Sequence, residues 1–216
     1  SKWCSFAWRK ARYYILVMSE HKTDYIRTYT GLHAYPLEPV ADEIRIEDIA
    51  HSLSMLCRAN GHYSSFYSVG AHCLNCYEEA CARRETPRVR MACLLHDATE
   101  AYVSDITRPV KKYLDTYRDI EDALALTIYG KFLGSALTEY EQKMVKIIDD
   151  AMLYYEFLEF MAVKMFDEPP YVAATPDFYR GTMTQVEQEY LDVFNSINLD
   201  DESDVKETIK WVRKNV

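Results

Sequence analysis

Apolar residues recur every three to four positions along most of this chain and seldom alternate strictly, a pattern that predicts helices rather than strands. Ile46, Ile49, Leu53 and Leu56 mark one helix over 46–59, which Asn60-Gly61 stops. A second runs over 68–84 with Ser68 as its N-cap. Thr86-Pro87, a cap followed by proline at the first helical position, opens a third that reaches about residue 103. After a turn at 106–109, a fourth helix covers 116–132 and ends at Gly134. Thr138 and Glu141 have capping-box spacing and open a long fifth helix through about residue 165. Residues 167–177, with Pro169, Pro170 and Pro176, read as a loop, and helices over 183–197 and 203–214 finish the chain. Residues 24–43 are irregular around Gly31, Pro36 and Pro39, with room for a short extended piece. There is no internal repeat, and the expected fold class is all-α. The expected organisation is one domain over 18–216, with its core over 25–165 and C-terminal helices over 177–216.

Charge narrows the partners. A net charge of −9 argues against a nucleic-acid coat and against an anionic-membrane binder. No apolar run approaches the ~20 residues of a membrane span. Residues 1–17 differ from the rest, with Lys2, Arg9, Lys10 and Arg12 and no acid, and read as an upstream extension before a start at Met18. The six cysteines, several on apparent helix faces and without a visible signal peptide, read as reduced thiols of a cytoplasmic protein. Cys73-Leu74-Asn75-Cys76 lies inside a helical pattern with no second CxxC, and reads as a pair of small buried residues.

The chemistry concentrates in Leu94-Leu95-His96-Asp97-Ala98-Thr99-Glu100, an imidazole and two carboxylates within an otherwise apolar helix. Ionisable groups are seldom buried without a partner that offsets their desolvation, and a divalent cation is such a partner. His96 and Asp97 diverge by about 100° and can approach one ion from two sides. Glu100 stacks one turn further along, where it can orient the attacking water or take its proton. His72 on the second helix and the Asp149-Asp150 pair on the fifth supply the remaining ligand types. Two imidazoles and two carboxylates leave coordination positions open to water and substrate. A lone His-Asp pair is a weak signal; the set spread over successive helices is far more specific.

This arrangement resembles the HD-domain metal phosphohydrolase superfamily, with His72, His96-Asp97 and Asp150 as the metal ligands and Glu100 and Asp105 in the auxiliary acidic positions. Asp149 and Asp150 compete for the last place, and Asp150 is chosen because it precedes Ala151-Met152 as the family's aspartate precedes a similar pair. The stretches from Asp48 through His51, Arg58, Gly61-His62 and Ser68 to His72, and from Leu95 through Tyr102, Asp105 and Arg108-Pro109-Val110-Lys111, look like a bacterial and phage branch similar to 5′-deoxynucleotidases and to enzymes hydrolysing deoxyadenosine phosphates. The likeness covers about 25–165. It departs at Gly70-Ala71, where relatives carry a polar or acidic residue beside the histidine.

The resemblance implies a helical bundle with one divalent metal (Zn, Mn, Co, Fe or Mg) in the groove between helices, and an additional Mg that can arrive with substrate. It implies hydrolysis of a nucleotide phosphate ester by a 5′-deoxynucleotidase or a dNTP triphosphohydrolase. Glu100 and Asp105 would be the catalytic acids and bases. Arg58 falls at a phosphate-contacting position, and a guanidinium fork suits that task. Arg108 and Lys111 are further phosphate cations. His51, seven residues before Arg58, would touch phosphate or a second ion, or sit as a core histidine; His62 is split in the same way. Alarmone or cyclic-nucleotide hydrolysis, and a nucleotide-binding module without turnover, are the alternatives. The 18 tyrosines include Tyr113, Tyr117, Tyr154 and Tyr155 at helical positions, which read as packing or as contacts of a homo-oligomer.

Overall fold

The computed structural model describes residues 24–200, so the 1–17 extension and the 203–214 helix lie outside the described residues. Within that span the chain is mostly helical, in line with the all-α expectation. The extended piece foreseen in 24–43 is a two-stranded antiparallel hairpin, β1 (Ile26–Arg27) and β2 (His33–Ala34). Eight helices follow: α1 (Ile46–Met55), α2 (Val69–Ala82), α3 (Pro87–Leu95), α4 (Glu100–Val103), α5 (Arg108–Lys111), α6 (Asp115–Leu133), α7 (Glu139–Met161) and α8 (Met183–Ser196). No helix among the described residues is long and apolar enough to cross a membrane.

The caps read from sequence set the helix starts. Ser68 Oγ accepts from Ala71 N, and Thr86 Oγ1 accepts from Val89 N with Pro87 just inside the helix. Thr138 and Glu141 satisfy each other's backbone N–H groups as a capping box, and Thr182 and Gln185 do the same for α8. Such caps satisfy N–H groups that a first helical turn leaves without partners. Helix α6 ends where Gly134 takes up a left-handed conformation.

Helix α2 is the centre of the molecule, packed against α1, α3, α7 and α8. Its residues are buried almost all round, including Val69, Ala71, His72, Cys73, Leu74, Cys76 and Ala80, which is how a core helix rather than a surface helix looks. Leu53, Leu94, Leu95, Ile148 and Met152 fill the space between α2 and its neighbours. The loop after α7 is tied back onto α2, since Glu79 accepts from the backbone N–H of Ala173 and Ala174 while Asn75 exchanges hydrogen bonds with the Asp177 backbone.

Gly70 permits the close approach of α1 and α2 that sets the depth of His72. A Cβ there would sit 3.2 Å from the Leu53 carbonyl group and from Ser54 N, backbone atoms of a packed helix that cannot yield cheaply. Overpacking of this kind costs about 1–3 kcal/mol, partly offset by the ~1 kcal/mol an alanine gains in a helix. Gly70→Ala is therefore expected to lower stability by about 1 kcal/mol, visible as a reduced midpoint in denaturant titration. An unchanged or raised midpoint would show that α1 can move aside.

Three helix ends differ from the sequence expectation. Helix α1 stops at Met55 because residues 56–58 turn extended: Cys57 bridges Ser68, Arg58 N bonds Tyr67 O and Val69 N bonds Leu56 O. Helix α7 stops at Met161, where Ala162 is left-handed. The third helix breaks after Leu95, and α4 resumes at Glu100. Between them the chain winds more tightly, with Ala98 N on Leu95 O and Glu100 N on Asp97 O. Tight i to i+3 turns within a helical run commonly mark functional positions, and this one carries His96 and Asp97.

Candidate metal centre

Four side chains from α2, the α3–α4 turn and α7 point at one place. His72 Nε2 lies 3.1 Å from His96 Nε2, 3.7 Å from Asp97 Oδ2 and 3.3 Å from Asp149 Oδ1. His96 Nε2 lies 3.3 Å from Asp97 Oδ2 and 3.9 Å from Asp149 Oδ1. An ion with bonds of about 2.0–2.2 Å places its donors roughly 3–3.5 Å apart, so these separations fit one coordination shell. Buried His, Cys and Asp groups here can hold a metal ion.

The second nitrogen of each imidazole decides what the first one offers. His72 Nδ1 lies 2.5 Å from Glu156 Oε1, a wholly buried carboxylate that only accepts when ionised. His96 Nδ1 donates to the Cys93 carbonyl at 2.8 Å. In the neutral rings both Nε2 atoms must then carry lone pairs, and they face each other beside two carboxylate oxygens. Two lone pairs and two carboxylate oxygens converging in this way favour a cation between them, whether a proton or a metal ion.

The electrostatics agree. Burial works against the charged form of both histidines, and Arg58 against His72, yet Glu156 and Asp149 raise His72 and Asp97 raises His96 well above its ordinary pKa. Burial also opposes ionisation of Asp97 and Asp149, but His96 and His72 hold both carboxyls well below the usual range, with Arg58 adding to the effect on Asp97. The field that retains a proton in the centre also attracts a metal ion.

The centre opens into a cavity of about 360 Å³ whose lining includes Arg58, Asp97, Glu100, Asp105, Arg108 and Asp149. Lys111 also lines it, with Nζ 2.5 Å from Glu121 Oε1. Arg58 is buried rather than at the surface, its Nη1 3.1 Å from Asp97 Oδ2 and its Nε 3.2 Å from Glu156 Oε2. Glu100 is buried and its Oε2 has no hydrogen-bond partner. Burial, then Asp97 and Asp105, push its carboxyl well above the usual range against the pull of Arg58 and Lys111. Asp105 is raised too, by burial first and then by Asp97. Ser104, just before it, has φ 69° and ψ 160°, a backbone region nearly reserved for glycine and costing about 1–3 kcal/mol. Strain is thus stored where the chain turns Asp105 into the cavity.

Because the fold favours neutral Glu100, it binds the carboxyl proton more tightly than the unfolded chain does. Stability contributed by that group is lost as pH rises from the ordinary carboxylate pKa toward the raised folded one. In metal-free protein, Glu100→Gln is expected to be more stable than the parent at neutral pH, with the difference shrinking as pH falls toward the ordinary carboxylate pKa and constant below it. Denaturation midpoints at several pH values check this, and a constant difference would contradict it.

The sequence reading needs two corrections. It chose Asp150 as the fourth ligand, but Asp149 faces the imidazoles. Asp150 bonds Arg108 Nη1 and Lys146 Nζ, both at 2.8 Å. Arg108 reaches Asp149 Oδ2 with its other nitrogen at 2.7 Å, so it grips the outer rim of the centre. The reading also enlisted His51 and His62 as substrate contacts, and the structure does not bring them to the cavity. His51 stacks on Tyr29 with ring centroids 3.7 Å apart, bonds Glu187 and lines a different cavity. His62 is exposed beside the short turn Arg58–Gly61.

Glu156, missed from sequence, is the buried hub behind the centre, gathering His72, Arg58 and the Tyr63 hydroxyl at 3.0 Å. Its signal was its spacing: seven residues after Asp149 it shares that helix face, as a carboxylate among apolar neighbours. Cys57, Cys73, Cys76, Cys81 and Cys93 are free thiols, as expected. Cys73 and Cys76 are buried core residues, as expected, and Cys76 Sγ also lies 3.5 Å from His72 Nε2.

No family model matches the chain. It is 39% identical over 108 residues to the uncharacterized protein YfdR of Escherichia coli, a match covering 50% of this chain and 58% of that protein. It is 33% identical over 156 residues to the uncharacterized protein RCAP_rcc00048 of Rhodobacter capsulatus, covering 66% of this chain and 79% of that one.

Proposed function

The chain belongs to one family with the uncharacterized Rhodobacter capsulatus protein RCAP_rcc00048, and from its site we propose that it is a metal-dependent phosphohydrolase of the HD type acting on nucleotides, deoxynucleotides foremost. The observation that carries the reading is the convergence of His72 Nε2, His96 Nε2, Asp97 and Asp149 with each imidazole's other nitrogen already committed. These four residues would hold one divalent ion, which supplies an electrophile that polarises a phosphoryl oxygen and eases deprotonation of water.

The protein's own groups divide the remaining work. Arg58, Arg108 and Lys111 bring three cations to a cavity that also holds Asp97, Glu100, Asp105 and Asp149. A divalent ion tips that balance toward an anionic substrate. Arg58, fixed in orientation by Glu156 and Asp97, offers its remaining Nη hydrogens to phosphate oxygens. Glu100, buried with one bare oxygen, orients the attacking water, and would take its proton once a divalent charge beside Asp97 has brought the carboxyl to its ionised form. Asp105, which the Ser104 turn brings into the cavity, is placed to give a proton to the departing 5′ oxygen. The P–O5′ bond breaks, releasing nucleoside with phosphate from a monophosphate or with tripolyphosphate from a triphosphate. A cavity of about 360 Å³ is at the small end of the ~300–1,000 Å³ typical of ligand sites and suits one nucleotide. Alarmone hydrolysis with a second histidine-bound metal is disfavoured, because His51 and His62 stand apart from the centre. A cytoplasmic homo-oligomer remains part of the proposal.

The test is product chromatography after incubation with Mn²⁺, Co²⁺, Zn²⁺ or Mg²⁺ and a panel of ribo- and deoxynucleoside mono- and triphosphates, with Asp97→Ala as control. Metal-dependent nucleoside release that the variant lacks is expected, and the inorganic product identifies the substrate class. No release from any member would overturn the nucleotide assignment.

A further inference from the structure

The metal centre has a thiol on its buried side. His72 and Cys76 are four residues apart on α2, so their side chains share one face and meet one turn apart. Cys76 Sγ lies 3.5 Å from His72 Nε2, and the Sγ atom and the two histidine nitrogens all fall within 4.8 Å of one another. An ion bonded to sulfur at about 2.3 Å and to nitrogen at about 2.0–2.1 Å spaces the two roughly 3.1–3.8 Å apart for bond angles of about 90–120°. The observed separation falls in that range. Cys76 is 1% exposed and absent from the lining of the substrate cavity, so it approaches from behind while Asp97 and Asp149 approach from the cavity. Its thiol therefore leaves the cavity side of the centre to substrate and water.

We propose that Cys76 Sγ is a ligand of this ion, making the centre a mixed imidazole, carboxylate and thiolate site. This rests on the metal-centre reading above and narrows it. As the metal–sulfur bond forms, the thiol proton passes to solvent, so loading releases a proton. A thiolate selects Zn²⁺, Co²⁺ or Fe²⁺ and disfavours Mg²⁺ and Mn²⁺, which prefer oxygen. Cys73 is the competing thiol, grouped with His96 and Asp97, but it follows His72 by one residue and diverges from it by about 100°.

The test is absorption spectroscopy of the reduced, metal-free full chain titrated with Co²⁺, using the parent, Cys76→Ser and Cys73→Ser. The expected result is d–d bands of protein-bound Co²⁺ together with a near-ultraviolet thiolate-to-cobalt charge-transfer band. Cys76→Ser should remove the charge-transfer band and keep the d–d bands, while Cys73→Ser keeps both. In the parent, d–d bands without charge transfer would overturn the thiolate ligand and leave the metal centre standing. A band that survives Cys76→Ser and disappears in Cys73→Ser would move the ligand to Cys73. Absence of any bound-cobalt spectrum in the parent would overturn both the ligand and the centre it belongs to. The parent alone thus decides whether any thiolate binds the ion, and the two variants decide which one.

Discussion

Asp149→Ala is expected to abolish nucleotide hydrolysis and to weaken divalent-metal binding by more than about 100-fold, whereas Asp150→Ala stays within a few-fold of the parent. Replacing a group that only orients a ligand already costs about 10–100-fold in affinity, so removal of a ligand should cost more. The two aspartates are adjacent on α7, yet successive side chains of a helix diverge by about 100°. Asp149 faces His72 and His96 at 3.3 and 3.9 Å. Asp150 faces outward to Arg108 and Lys146. Its ion pairs are partly exposed and contribute little to stability, about 0–1 kcal/mol each. Metal content after dialysis and kcat/KM for the best substrate check the contrast. Equal losses in the two variants would contradict the assignment.

The second large effect concerns Glu156. Its carboxylate is wholly buried, and its acid is held below the ordinary range because Arg58 and His72 outweigh the cost of burial. Glu156→Ala strands the buried Arg58 guanidinium, and removing one partner of a buried pair costs about 3–5 kcal/mol. The denaturation midpoint should fall accordingly. Glu156→Gln is the sharper probe of function, since it keeps the volume and can still accept from Tyr63. It no longer demands a proton on His72 Nδ1, so the ring can turn its Nε2–H toward the centre. Metal affinity is expected to fall about 10–100-fold, the usual effect of losing a carboxylate behind a ligating histidine. Titration with a competing chelator measures it. Unchanged affinity in the glutamine variant would mean that Glu156 stabilises the fold without setting the imidazole.

Much of this was legible before any coordinates. The caps at Ser68, Thr86-Pro87 and Thr138 were visible because local hydrogen bonds and proline geometry act within three residues. Helix ends were not, because a pairing between residues 57 and 68 and the tight turn at 95–100 are tertiary events. That difference explains the misplacement of His51. It was put on the face of Arg58 by counting two helical turns, but α1 ends at Met55 and the count does not carry across an extended segment. Arg58, Asp105, Arg108 and Lys111 line the cavity. The choice between Asp149 and Asp150 needed the helix phase, which a pair of adjacent acids does not reveal. Glu156 and Cys76 were hidden because a carboxylate or a thiol in an apolar helix has no motif of its own until its neighbours are known.

The most direct measurement is anomalous diffraction from crystals of the metal-loaded protein, recorded on either side of the metal's absorption edge. One strong peak is expected per chain, at bonding distance from His72 Nε2, His96 Nε2, Asp97 and Asp149. An empty centre in fully loaded crystals, or an ion held elsewhere in the chain, would contradict the metal-dependent reading and remove the basis for hydrolysis at this site.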